Sequence, residues 1–176
     1  MKRAWSQTIR LQELSKGPVK VRLQPDAETR ALIAKEIGLE SLPALTADIT
    51  IHAWLDGAEI LGQLDAVVEQ ICGVSLDAFE QALSADIEFR VVPAGSPHAP
   101  PESEAATVEL EFDPDEPDPP DVLADEEIDL SAYLIEQLAL EIDPFPRKPG
   151  AVFDYAPDTT DLSPFAALKK LKGEGE

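Results

Sequence analysis

Apolar and polar residues alternate most clearly from Leu45 to Leu55. There Leu45, Ala47, Ile49, Ile51, Ala53 and Leu55 take every second position, with Thr46, Asp48, Thr50 and His52 between them. A period of two predicts a long strand with one buried face. Asp56-Gly57 follows, a hairpin signal in which glycine is expected to supply the positive φ of a type I′ turn. The return strand sets Ile60, Leu64, Ala66, Val68 and Cys72 on one face. Upstream, Thr8-Ile9-Arg10-Leu11 and Val19-Lys20-Val21-Arg22-Leu23 alternate over shorter spans, with Lys16-Gly17-Pro18 as a turn between them. Asp26 is placed to cap a helix that carries Ala27, Ala31, Ala34 and Ile37 on one side and ends at Gly38.

Residues 75–92 fit two patterns. Ser75, Leu76, Phe79, Leu83 and Ile87 suit a capped helix, whereas Phe79, Leu83, Ala85, Ile87, Phe89 and Val91 suit a strand. Ile87 to Val92 reads as strand, so a third antiparallel strand is expected overall, with helix in the first half as the alternative. Pro93 to Pro101 reads as a loop, and Val108, Leu110 and Phe112 as one more short strand. Asp113 to Asp121 holds four prolines among five acids and has nothing to bury, which predicts a solvated, extended linker. After it, Asp129 or Ser131 can cap a helix with Leu134, Ile135, Leu138 and Ile142 inward, stopped by Pro144. Pro146-Arg147-Lys148-Pro149-Gly150 predicts a stiff turn. Ser163-Pro164 opens a last short helix with Phe165, Leu168 and Leu171 on one side.

The sum is an α+β fold. We expect an antiparallel β meander or partly closed barrel, two or three flanking helices, and an acidic, Pro-rich loop over residues 93–127 within one domain spanning 1–176.

Charge sharpens this picture. The net charge is -21, and it is unevenly placed. Residues 1–98 hold 14 acids and 9 bases, residues 99–143 hold 16 acids and no base, and residues 144–176 hold 5 of each. The middle segment repels phosphate, so non-specific nucleic-acid binding through it is disfavoured. No apolar run approaches the roughly 18 residues of a membrane span, and Met1-Lys2-Arg3 is followed by no apolar stretch of a secretory signal. A single cysteine, Cys72, fits a reducing compartment. The expected location is the cytoplasm.

Candidate catalytic chemistry finds little support. Cys72 as a nucleophile needs a base beside it. His52 falls on the polar side of its strand and His98 in a Pro-rich loop, so Cys72 reads as a small core residue. Asp113, Asp115, Glu116 and Asp118 lack the glycine and the final glutamate of a calcium loop. No Gly-rich phosphate loop, G-x-S-x-G or H-E-x-x-H is present. The expectation is a protein that is not an enzyme, with no cofactor and no metal.

The basic residues of the last third point to binding. Arg147 and Lys148 are the only bases between Arg90 and Lys169. A proline-stiffened turn presenting two cations loses little entropy when it engages a partner. The bland alternative is that the pair neutralises Asp143 and Asp154. Lys169, Lys170 and Lys172 end the final helix, where cations also complement the helix dipole.

Several segments together resemble a family. Val68-Glu69-Gln70-Ile71-Cys72-Gly73-Val74-Ser75-Leu76-Asp77-Ala78-Phe79 resembles the C-x-V-x-L-x-x-F stretch of the YceD-like proteins, the bacterial large ribosomal RNA subunit accumulation proteins. Ile128-Asp129-Leu130 with Glu136-Gln137-Leu138-Ala139-Leu140 resembles their second signature. Pro146 to Ala151 and Ser163 to Lys172 resemble the third and fourth. The order, the spacing and the acidic middle agree from about Val19 onward. Many members carry a second cysteine. Here Gly73, Val74 and Ser75 follow Cys72, so the resemblance brings no metal centre with it.

The resemblance implies a ribosome-biogenesis factor needed for accumulation or processing of 23S (large-subunit) rRNA. As a binding module it would touch large-subunit rRNA or a pre-ribosomal particle through Arg147, Lys148, Phe165, Lys169, Lys170 and Lys172. Its acidic segment would hold a basic ribosomal protein; no membrane and no small-molecule substrate is expected. The alternative is an acidic chaperone or nucleic-acid mimic that binds a basic ribosomal protein without RNA contact.

Overall fold

A computed structural model describes residues 5–100 and 118–153. Its centre is a sheet of five strands in the order β2-β3-β4-β5-β6, formed by β2 (Val19–Leu23), β3 (Ser41–Trp54), β4 (Gly57–Ile71), β5 (Ala78–Pro93) and β6 (Asp121–Leu123). The first four run antiparallel to their neighbours and β6 lies parallel to β5. β1 (Thr8–Arg10) and β7 (Glu127–Asp129) make a separate two-stranded ribbon. Two helices, α1 (Ala27–Ile37) and α2 (Leu130–Glu141), and a 3-10 turn over Leu11–Lys16 complete the described residues.

The period of two decides which face of the sheet is covered. Leu45, Ala47, Ile49 and Ile51 of β3 are buried, and so are Ile60, Leu64, Ala66 and Val68 of β4 and Ala85, Ile87 and Val91 of β5. α2 closes this face with Leu130, Leu134 and Leu138, and α1 adds Ile33 and Ala34. A fully buried Leu or Ile stabilises by about 1.5–3 kcal/mol, so these rows outweigh the local preferences of any one element. On the other face of the sheet, Arg90 is held by Glu59 at 3.0 Å and lies over the Trp54 ring at 5.3 Å.

Both helices start on the expected caps. The Asp26 carboxylate accepts the Thr29 N–H at 2.8 Å, and Asp129 accepts the Ala132 N–H at 3.1 Å. α1 ends on Gly38 in the left-handed region, at φ 76°. The third antiparallel strand is present as the whole of β5, without a helical first half.

Several expectations are corrected. Of the meander and the partly closed barrel, the described strands form the open meander: β2 and β6 are its edges and do not pair with each other. The turn of the long hairpin falls one residue early: Trp54 pairs with Gly57, Leu55 carries the positive φ of 53°, and Gly57 is already in β4. Ala53, near the end of β3, and Leu55, in the turn, are exposed. The buried stripe of α1 follows the larger Ile33 together with Ala34, leaving Ala27 and Ala31 exposed. β1 pairs with β7 and not with β2, and Leu11 opens the 3-10 turn. The segment read as a loop over 93–127 contains β6, where Leu123 is buried. The remainder of that segment at 101–117, including the strand expected at Val108, Leu110 and Phe112, lies outside the described residues, as does the terminal helix.

Candidate partner-binding site

At the end of the sheet where β4 turns into β5, two loops meet. One is the connection from Cys72 to Asp77; the other follows α2 from Asp143 to Gly150. Backbone groups and side chains both join them. Gly73 N–H donates to the Pro146 carbonyl at 2.9 Å, and Lys148 N–H donates to Cys72 Sγ at 3.3 Å. Gln70, buried on β4, donates its amide to the Asp143 carbonyl at 3.2 Å. Within the first loop, Cys72 N–H reaches the Asp77 carbonyl at 2.9 Å and Leu76 N–H the Cys72 carbonyl at 3.0 Å. Gly150 leaves the second loop at φ 80°, a conformation that favours glycine.

Cys72 is fully buried, as expected, but lies outside the contiguous apolar cluster of the core. Its sulfur accepts N–H bonds from Val74 and Ser75, each at 3.4 Å, and from Lys148. Donors from Ser75, then from Lys148 and Val74, favour the thiolate and outweigh burial, so the thiol is lowered from its ordinary value to about 6. The residue is a fastening between the two loops as well as a small apolar side chain.

The two basic residues of the turn differ sharply. Lys148 Nζ lies 3.2 Å from the Asp77 carboxylate. That bond and the ammonium charge hold the Asp77 carboxyl below its usual range. Lys148 therefore spends its charge within the site, on Asp77 and not on Asp143. Arg147 is exposed, and among the described residues no carboxylate lies within ion-pair distance of it. Arg147 borders a shallow cleft of about 500 Å³ together with Phe79, Phe145 and Pro149, with Glu80 and Asp143 also on its walls. Phe145 is 80% exposed and Leu76 is 77% exposed, the latter at a positive φ of 61°. A bulky residue held there costs about 1–2 kcal/mol relative to ordinary backbone.

Of the candidate binding residues, Arg147 and Lys148 are brought to this tip. Phe165, Lys169, Lys170 and Lys172 lie outside the described residues, as does Asp154. Asp77, Phe145 and the anchoring sulfur of Cys72 escaped the sequence reading. Lys148 meets Asp77 at a sequence separation of 71 and the Cys72 sulfur at one of 76, and no local pattern encodes such a pairing. The arrangement is suited to recognition: a guanidinium unpaired among the described residues and an exposed aromatic ring on a loop whose backbone is fixed.

No curated protein and no solved structure matches the chain. A family model does, over residues 60–172, a span containing most of the long hairpin's return strand, both loops of the tip and α2. Its description is "Large ribosomal RNA subunit accumulation protein YceD", and with well over half of its length inside that match the chain belongs to this family.

Proposed function

We propose that this chain is a binding module in the accumulation or processing of 23S (large-subunit) rRNA, that it acts without a catalytic step, and that Arg147 is its principal cationic contact. The family match supports the process. The observation that carries the contact is the state of Arg147. In a chain of net charge -21, its guanidinium is exposed and unpaired among the described residues, while its neighbour Lys148 is tied to Asp77. An arginine can grip a phosphate or carboxylate through two parallel bonds, and a loop already fixed by Cys72 loses little entropy on doing so. Lys148 then acts as a positioning residue. Phe165, Lys169, Lys170 and Lys172 are assigned to the same function on their sequence pattern alone.

The test is complementation of a deletion strain combined with RNA crosslinking in cells. Arg147→Ala should fold normally, fail to restore large-subunit rRNA levels and lose crosslinks, with Arg147→Lys intermediate. Full complementation by a folded Arg147→Ala protein would remove Arg147 from the contact. Normal function with no crosslink to rRNA in the unmodified chain would favour the acidic chaperone that grips a basic ribosomal protein.

A further inference from the structure

β5 is paired with β4 from Ala78 to Val91, but on its other side β6 covers only Val91–Pro93. From Ala78 to Arg90 that second side has no strand partner among the described residues. Alternate residues of an antiparallel strand aim N–H and C=O away from the paired neighbour, so this edge offers a long row of backbone donors and acceptors. Edges of such length are usually shortened or guarded by charge. The opposite edge, β2, is only five residues long and carries Lys20 and Arg22.

The charge on the β5 edge has the other sign. Glu80, Asp86 and Glu88 are exposed at alternate positions of the sheet's open face. Asp143 joins Glu80 in the cleft beside Phe79–Ala82, and Asp118 and Asp121 flank a second cleft beside Glu88–Arg90. Two cations stand near these six carboxylates, Arg147 at one end and Arg90, which is held by Glu59 at 3.0 Å and lies 3.8 Å from Glu88. On the inner face the same strand presents Phe79, Leu83, Ala85 and Ile87, all partly or fully buried. A strand added in register would thus pass Glu80, Asp86 and Glu88 on its outer face, with Ala82 and Ser84 between them, and a mainly apolar row broken by Gln81 on its inner face.

We propose that the edge of β5 left uncovered among the described residues docks an extended cationic segment of a partner protein, in which lysine or arginine alternates with apolar residues, as an added strand. The backbone ladder supplies affinity and the alternating side chains supply specificity. RNA is disfavoured here because the edge repels phosphate. A second β5 from another copy is disfavoured because like charges would face each other. The inference is independent of the rRNA reading and would hold even if Arg147 touched no RNA.

The test uses the full chain and a short peptide alternating lysine and valine. Its controls are a peptide of the same composition with all lysines in one block, and an alternating peptide N-methylated along one edge. The alternating peptide should slow hydrogen exchange at amides within 78–90, and both controls should bind about tenfold more weakly or worse, a difference of about 1.4 kcal/mol. Glu80→Lys combined with Glu88→Lys, both at exposed positions, should keep the native circular dichroism and lose most of the peptide binding. Equal binding of the three peptides would overturn the proposal, as would edge amides already protected like those of β4 in the free chain. So would protection of the same amides by single-stranded RNA, or self-association of the chain alone that Arg22→Glu abolishes.

Discussion

A Cβ placed on Gly57 would run into the carbonyl of Val91, lying 2.9 Å from its carbon and the same distance from the Cα of Val92. The glycine is required by the close approach of β5 to the start of β4, not by a turn dihedral. Gly57→Ala should therefore destabilise by about 3 kcal/mol or more, because backbone, and not a flexible side chain, would have to move. Chemical denaturation measures it; a loss under about 1 kcal/mol would contradict the close packing.

Leu55 and Leu76 make the opposite prediction. Each is an exposed leucine at positive φ, 53° and 61°. Leu55→Gly should raise stability by up to about 1 kcal/mol, since strain of about 1–2 kcal/mol is relieved and part is returned as glycine's entropy. Leu76→Gly should stabilise similarly, yet weaken partner binding if its side chain is part of the tip. A thermal melt paired with a complementation assay separates the two effects.

The Cys72 thiol gives a pH dependence. Its folded value is about 6, below the ordinary thiol range. The lowered value means that the unfolded chain holds the proton more tightly between the two. Stability from this group is then fully present above the unfolded thiol's titration, near pH 8.5, and is lost as pH falls through about 6. The melting temperature should climb across that window in the native chain and lose that climb in Cys72→Ala, while thiolate ultraviolet absorbance titrates near pH 6. Cys72→Ala should also quicken exchange of the Lys148 amide, which would lose its acceptor.

Tyr133 predicts a change at the alkaline end. Burial foremost, then the charge of Asp121, raises its phenol well above the usual range, and its ring stacks on Phe89 at 4.0 Å between centroids. A raised value favours the protonated form in the fold. The contribution is full below about pH 10, where the unfolded phenol titrates, and declines above it. Tyr133→Phe should keep the stacking and remove that alkaline loss; an unchanged pH profile would show that the phenol is better solvated than its packing implies.

Legibility followed range. Strands β3, β4 and β5, the Asp26 and Asp129 caps and Gly38 were readable because each rests on residues within one turn or one strand. The expected stripe Ala27, Ala31, Ala34 and Ile37 holds only in its second half, because three alanines repeat at helical spacing whereas the larger Ile33 gains more from burial. The ambiguity in residues 75–92 resolves as strand from Ala78 onward because β4 offers a long partner row, while Ser75 to Asp77 belong to the connecting loop. At the site, the stiff basic turn was visible from its prolines. The division of labour between Arg147 and Lys148 was not, because it depends on Asp77 and on a sulfur across the fold.

The ribbon of β1 and β7 also bears on the order in which the molecule assembles. Arg10 bonds to Glu127 at a sequence separation of 117, whereas Trp54 and Gly57 meet across a two-residue turn. Closing the larger loop costs more entropy, and it cannot happen before the later residues exist on a growing chain. The meander of β3, β4 and β5 can thus form early during synthesis, while Ile9, buried in the finished fold, waits uncovered. A nascent chain stalled before residue 127 should expose its first strand to protease and lose that sensitivity only once β7 has emerged.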